Sequence, residues 1–511
     1  MRLHLVVLFY AALSLGRAEM LPYKSLPEAV PSSSYKLKVD GKPVFVEKFG
    51  DISYGRFSFS GTAAIQIESV QPIETFVISP QSRNIPGVKE RNRLSFSISH
   101  SGGLILNVNK QEQLILLADS LEVDIPKLSD PKVKSLATYL SPGRDPRIPV
   151  TAEFQRALDE TSRANDGTGG TLFIPNGFYL AGQLTIKSNT HIYLESGSVV
   201  QAVGAPTAQN FPHQAWNKDS SFIFINNAIN VKITGRGILD GNGAAIRAVD
   251  PEAKIKLLRT AKSSRVLLDG IFLRDSARWT VHLLHSDDVV CRNVRLINDL
   301  RGEISGEKLK PIVSNTDGFD IDASRNVLIE NSFIYTADDA FSAKVTGYMN
   351  LQRSCESVVM RQNVLWSLKC AIRVGDETLE DLTDILFEDN DIIRADRFIG
   401  LWGGSAGKLS NLRFLNNRAE FIGGDSHERF FYFRIRLATP KSKPGTIENV
   451  LVKNFTALQR AQESSIIEGY DPDHQITDVK FQNLVIEGKL VEEAGDIPLE
   501  FKNSFYSDVS F

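Results

Sequence analysis

Apolar and polar residues alternate in short runs over the first quarter of the chain. Ser34-Tyr35-Lys36-Leu37-Lys38-Val39 ends in Asp40-Gly41, and Pro43-Val44-Phe45-Val46 follows. That is a strand, a two-residue turn signal and a second strand. Ile65-Gln66-Ile67, Thr75-Phe76-Val77-Ile78, Leu94-Ser95-Phe96-Ser97-Ile98 and Leu104-Ile105-Leu106-Asn107-Val108 repeat the theme. Short strands at this spacing predict a β-sandwich of about 100 residues, structural or accessory in role. Pro126, Pro131, Pro142, Pro146 and Pro149 mark a connector. A helix is predicted over Thr151 to Ala164. Thr151 is its expected cap, and Ala152, Phe154, Ala157 and Leu158 are its apolar face.

Beyond that helix the pattern becomes a longer repeat. An apolar residue is followed four positions later by Gly or Asn at Val266–Gly270, Val289–Asn293, Val327–Asn331, Val359–Asn363, Leu386–Asn390, Leu412–Asn416, Val450–Asn454 and Val479–Asn483, at intervals of 23 to 38 residues. Such periods mark a solenoid. The units are strand-rich with no helical pattern between them, so the expected architecture is all-β, a parallel β-helix. The recurrent Asn suits a left-handed turn and an amide that bonds along the stack.

Composition changes this picture little. The 511 residues exceed one ordinary core. A net charge of −3, with signs mixed along the chain, gives no nucleic-acid footprint. Arg2, the apolar stretch Leu3 to Leu15 and the small residues of Gly16-Arg17-Ala18 read as a signal peptide over 1–18, so the protein is expected to be secreted or periplasmic. No later run of about 20 apolar residues appears, and no membrane partner is expected. Cys291, Cys355 and Cys370 cannot all pair and have no zinc-site spacing; no metal or cofactor is expected. A monomer is expected. The anticipated division is a signal peptide at 1–18, sandwich and linker at 19–143, and β-helix at 144–511.

The chemistry concentrates in two runs, Asn315-Thr316-Asp317-Gly318-Phe319-Asp320 and Ala337-Asp338-Asp339-Ala340-Phe341-Ser342-Ala343-Lys344. A sheet has no structural use for so many anions, because desolvating each is costly. One coil of a β-helix advances the chain by one strand spacing, about 4.8 Å. Asp317 and Asp338 are therefore expected to stack on neighbouring coils. For Asp338 and Asp339 both to face one cleft, the strand must end or bulge there. The plain alternative is that Asp320, Asp322 and one of the Asp338–Asp339 pair are solvated outer-face residues. One protonated acid and one base holding a water is what glycosidic hydrolysis requires.

These motifs resemble the polygalacturonases of glycoside hydrolase family 28 and the related dextranase/isopullulanase family, both right-handed parallel β-helices. The likeness covers about Ile148 to Phe511. It includes Gly170-Thr171-Leu172-Phe173-Ile174-Pro175, His191-Ile192-Tyr193-Leu194, Gly235-Arg236-Gly237-Ile238-Leu239-Asp240-Gly241 and Ser276-Ala277-Arg278-Trp279-Thr280-Val281-His282. Asn315-Thr316-Asp317-Gly318 and Asp338-Asp339 match two of the family's four catalytic motifs. Ser58-Phe59-Ser60-Gly61 and Ile78-Ser79-Pro80-Gln81-Ser82 look like the sandwich that precedes the helix in dextranase-like members.

The resemblance implies an inverting hydrolase of a polysaccharide, a pectin-type polygalacturonan or a dextran-like glucan. Asp338 would be the general acid, with Asp317 and Asp339 activating the water and the acid and base carboxyls about 6.5–9.5 Å apart. Candidate substrate-binding residues are Asn315, Lys344, Arg373, Trp402, Arg434 and Arg436. Two motifs depart from the family. Cys370, in Lys369-Cys370-Ala371, stands where the family has His. Arg397-Phe398-Ile399-Gly400-Leu401-Trp402 stands where it has Arg-Ile-Lys, with Arg434-Ile435-Arg436 a coil later. Trp402 fits either a platform for a neutral sugar or a core position. Lys344 and Arg373 fit either electrostatic support of the carboxylates or structural ion pairs. Two other readings stay open: a polysaccharide lyase using Asp-bound Ca²⁺, and a non-catalytic carbohydrate-binding β-helix.

Overall fold

Period-two burial builds the strands. Tyr35–Val39 alternates buried and exposed, and Asp40 and Gly41 after it both take positive φ, at 48° and 75°. That conformation turns the chain straight into Lys42–Val44. The computed structural model describes residues 19–25, 29–214, 219–305, 308–311, 313–424 and 427–511, and only the backbone of 302–305 and 308–311. The expected signal peptide, 1–18, lies outside the described residues. Two antiparallel-rich sheets, one of six strands and one of five, form the N-terminal sandwich around a core that includes Leu37, Phe57, Ile67, Leu94 and Leu116.

From Val133–Ser135 onward the chain winds as a right-handed parallel β-helix. Three ladders of parallel strands run its length. One coil shows the plan. Arg325–Glu330 lies in the first ladder and Phe333–Thr336 in the second. The turn Ala337 to Ala340 follows, and Phe341–Val345 lies in the third. Inward residues stack coil on coil, as Phe319 does on Phe341 at 5.8 Å between ring centroids.

The sandwich packs on the outer face of the second ladder. Ile52, Tyr54, Ile105, Ile115 and Leu117 meet Phe272, Phe333, Tyr335, Ala337, Trp366 and Leu368 in one apolar cluster. Approach is close enough to require glycine: a Cβ on Gly103 would lie 2.0 Å from the Phe333 ring. Polar ties frame the contact. Arg295 Nε donates to Asp119 at 2.9 Å, Arg274 Nη1 to Glu47 at 2.8 Å, and the Tyr335 hydroxyl to Gln113 at 2.9 Å. Ala337 immediately precedes Asp338, so the sandwich abuts the turn that carries it.

Several local expectations change. The helix spans Thr151–Arg163, but Val150 is its N-cap and the Thr151 hydroxyl accepts from the Gly182 amide. Phe154, Ala157, Leu158 and Thr161 face the core, while Ala152 is exposed. One short helix, Gly243–Val249, interrupts the strands. The repeat slips by one residue at two coils. Val358 and Ile385, not Val359 and Leu386, align with Val327 and Leu412. The left-handed positions there are Gln362 and Asp389. Asn363 and Asn390 instead sit one residue later and are buried. Among the described residues no helix is long and apolar enough to cross a membrane.

Candidate active site

The second-to-third-ladder turn places the carboxyls. Thr336 ends its strand and Phe341 starts the next, so Asp338 and Asp339 lie in the break that an adjacent pair facing one cleft requires. Phe319 pairs with Phe341, and the Gly318 amide donates to the Asp339 carbonyl at 2.9 Å. The register therefore sets Asp317 level with Asp339. The expected stacking of Asp317 on Asp338 is off by one residue, because Gly318 stays in the parallel ladder.

One oxygen from each of Asp317, Asp338 and Asp339 falls within 4.8 Å of the others. The trio is tighter than the expected 6.5–9.5 Å. The stack explains this. Asp338 and Asp339 are consecutive, and Asp317 is one strand spacing away. Asp317 and Asp339 are 1% exposed, whereas Asp338 keeps an open flank. Among the described residues this is the one acidic group compact enough to hold a single cation. Its positive charge, however, already comes from side chains. Arg373 Nε lies 2.8 Å from Asp339, and Lys344 Nζ lies 2.7 Å from Asp320 and 3.9 Å from Asp317.

These neighbours push the carboxyls apart. Burial, then Asp317 and Asp339, raise Asp338 well above the usual carboxylate range. Burial would raise Asp339 too, but Arg373, Arg397 and the Cys370 amide, which donates to its Oδ1 at 3.0 Å, hold it below that range. Asp317 is raised by burial and by Asp320, whose nearer contact occupies Lys344. One carboxyl raised toward its protonated form beside one held ionised is the arrangement an acid/base pair needs.

The other expected residues divide. Asn315 is exposed and left-handed, at φ 56°, just before the trio. Lys344 is 1% exposed and lies 4.2 Å from the Trp279 ring centroid, so it supports the carboxyls from beneath. Trp402 is 6% exposed, with Arg373, Arg397 and Arg436 at 4.9, 5.2 and 5.1 Å from its ring and Tyr432 against its edge. It is not an open platform for a sugar, because guanidinium groups occupy its surroundings. Arg434 pairs with Glu468, and Arg436 lies 3.5 Å from Asp376. Cys370 is buried in the column that holds Asp317 and Asp339.

Asp320 and Asp322 are fully buried, not solvated, and burial pushes both up to about 6. Beside them runs a network that the sequence reading missed. Asp219 pairs with Lys256 and Arg259, Arg259 Nε donates to His282 Nδ1 at 3.1 Å, and His282 Nε2 reaches Asp322 at 3.0 Å. These residues share a face only through cross-coil register; charged residues at alternate positions were the one available signal.

The model of the family "Glycosyl hydrolases family 28" matches residues 165–489. A probable polygalacturonase of Vitis vinifera is 24% identical over 259 residues, covering 47% of this chain and 50% of its own length. The chain spans half or less of the length of the first curated relatives it matches. Among solved structures, the Yersinia enterocolitica family 28 exopolygalacturonase superposes with a TM-score of 0.59 at 15% identity, covering 96% of both chains. Dex49A from Penicillium minioluteum gives 0.62 at 13% identity, again over 96% of both. At these identities the superpositions speak to the fold.

Proposed function

The chain belongs to glycosyl hydrolases family 28, and from that membership we propose an inverting glycoside hydrolase of the polygalacturonase type, acting on the O-glycosidic bonds of a pectin-type polygalacturonan. The observation that carries the reading is the opposed environment of two consecutive carboxyls, Asp338 raised and Asp339 held down by Arg373. Asp338 gives its proton to the leaving glycosidic oxygen. Asp339 takes a proton from the attacking water, which Asp317 holds by a hydrogen bond. The bond from the anomeric carbon to the leaving oxygen breaks as the bond to water forms. Lys344 and Arg373 offset the charge of the cluster, and the exposed Asn315 lies just before it in the chain.

We further propose that residues 1–18 are a signal peptide, that the protein works outside the cytoplasm, that it is a monomer, and that 19–143 and 144–511 are its two structural units. Reducing-end release from polygalacturonate, lost in Asp338→Asn, tests the activity. No release from any pectic substrate would overturn it. The compact trio makes the first-formed anomer, read by proton NMR, a sharp second test. Inversion keeps Asp339 as base; retention would make it a nucleophile.

A further inference from the structure

Charge is distributed unevenly along the catalytic face. On the C-terminal side of the trio five guanidinium groups already have an acid. Arg373 pairs with Asp339, Arg397 with Asp396 through two bonds of 2.9 Å, Arg429 with Glu463, Arg434 with Glu468, and Arg436 with Asp376. An incoming anion there would have to compete with a carboxylate.

The N-terminal side differs. Arg278 makes no ion pair among the described residues, and its Nε is buried without a hydrogen-bond partner. It lies 5.4 Å from the Trp279 ring centroid. Arg247, on the helix Gly243–Val249, is in the same condition. Its Nε has no partner, and its one printed bond runs from Nη1 to the Ala277 carbonyl at 3.1 Å. The two guanidinium groups are close enough that Arg278 is the first charge to depress Arg247 after burial itself, and Arg278 also opposes the charge of Lys254, Lys256 and Arg259. Asp219 serves Lys256 and Arg259, and Glu252 acts on Arg247 only through space. Two adjacent like charges, partly desolvated and unbridged, are costly to the fold and attractive to an arriving anion.

Register fixes the place. Val281 pairs with Phe319, and Phe319 with Phe341. Counting back three residues puts Arg278 in the column of Thr316 and Asp338, two coils before the acid. At one strand spacing per coil that is about 10 Å from the acid along the helix axis.

We propose that Arg278 and Arg247 form a carboxylate-binding subsite on the N-terminal side of Asp338, and that this pair, rather than Arg434 and Arg436, selects an acidic sugar. The assignment rests on the hydrolase reading of the same site. A guanidinium fork matches a carboxylate with two parallel bonds and loses that match when the acid is esterified.

The test is calorimetric binding to the full chain carrying Asp338→Asn, which keeps saccharide intact. Oligogalacturonate and its methyl ester are compared. Adding Arg278→Gln or Arg247→Gln is expected to weaken oligogalacturonate binding about tenfold to a hundredfold, the range for a charge-assisted bond, and to leave the methyl ester unchanged. Arg278→Lys, which keeps charge without the fork, should fall between. Arg436→Gln should change neither. Full affinity in both Gln variants, with melting temperatures showing them folded, overturns the subsite. So does an equal loss for the ester, which marks a structural role. If the parent binds the ester and not the acid, the subsite alone fails. If it binds neither, the hydrolase reading falls and the subsite with it.

Discussion

Each coil makes two turns that handle buried polar groups in opposite ways. At the turn after the first ladder, Asn363, Asn390 and Asn417 stack with almost no exposure. Asn390 Oδ1 accepts from the Asn363 amide and side chain, both at 3.0 Å. Its Nδ2 donates to Asn417 Oδ1 at 3.0 Å and to the Met360 carbonyl at 3.1 Å. Ser332 extends the ladder by donating its amide to Asn363 Oδ1 at 2.9 Å. At and just after the turn that follows the second ladder, Asp317 Oδ1 and Asp320 Oδ2 are buried with no hydrogen bond, while Asp339 Oδ2 and Asp320 Oδ1 meet only the cations Arg373 and Lys344, at 2.8 and 2.7 Å. The backbone is the same in kind. Where polar side chains are architecture, every donor and acceptor is used along the stack. Where acceptors are left over, a water and a substrate complete the set.

The comparison is tested most severely at Asp338. Asp338→Asn should lower turnover by about 10²–10⁴-fold, the usual worth of a general acid. Folding should survive, because Asn retains the oxygen that accepts from the Asp339 amide at 2.9 Å. Relief of like-charge repulsion acts in the same direction. Initial rates beside a thermal melt decide it. A collapsed melt would make this turn architectural too.

The converse substitution is Asn390→Ala. It strips the side-chain partners of the Asn363 amide and the Met360 carbonyl, while Asn417 Oδ1 loses one donor and keeps the Asn390 backbone amide. Several buried groups left unpaired cost about 2–4 kcal/mol, read as a fall of several degrees in melting temperature. Turnover per folded molecule should not change. A loss of turnover without a loss of stability would erase the distinction between the turns.

Arg373→Gln probes how the catalytic turn sets its charges. Burial alone would raise Asp339, and Arg373 is the foremost group holding it down. Since the folded value is depressed, the carboxylate persists into acid and activity is lost only as pH falls through that low value. Without Arg373 the value rises, so the acid limb of kcat/KM should move to higher pH. An unmoved limb would assign the ionised base to another carboxyl.

The sequence shows the sandwich, the repeat and the three catalytic candidates because each is a local pattern: alternation, a recurring spacing, carboxylates beside small residues. What it hides is register. A slip of one residue at Val358 and Ile385 was enough to merge the left-handed column with the buried asparagine ladder. The same limit concealed the partners of Asp320 and Asp322. Lys344 and His282 reach them from neighbouring coils, not from neighbouring positions. Trp402 stayed open between platform and core for a related reason, since three arginines from separate strands and turns converge on it only after the chain has wound.

The smallest effect sharpens the architectural half of the comparison. In the left-handed column the outer amides also bond coil to coil. Asn454 Nδ2 donates to Asn416 Oδ1 at 2.7 Å, and Asn483 Nδ2 to Asn454 Oδ1 at 2.8 Å. Asn331 donates likewise to Asn293. Gln362 interrupts this run. It holds φ 57°, where Asn is tolerated better than a longer side chain, and its own bond, to Asp389, is stretched to 3.5 Å. Gln362→Asn therefore removes part of a backbone penalty and sets an amide beside Asn331. The expected gain is about 0.5–1 kcal/mol, a rise of a degree or two in melting temperature. Turnover should stay the same, because this turn lies across the second ladder from the carboxyls. The gain should shrink in Asn331→Ala, which takes away the new amide's partner but not the backbone relief. If the gain survives there undiminished, the left-handed conformation alone explains the column. If the substitution destabilises, the outer amides are solvated decoration, and only the buried ladder at Asn363, Asn390 and Asn417 holds the coils in step.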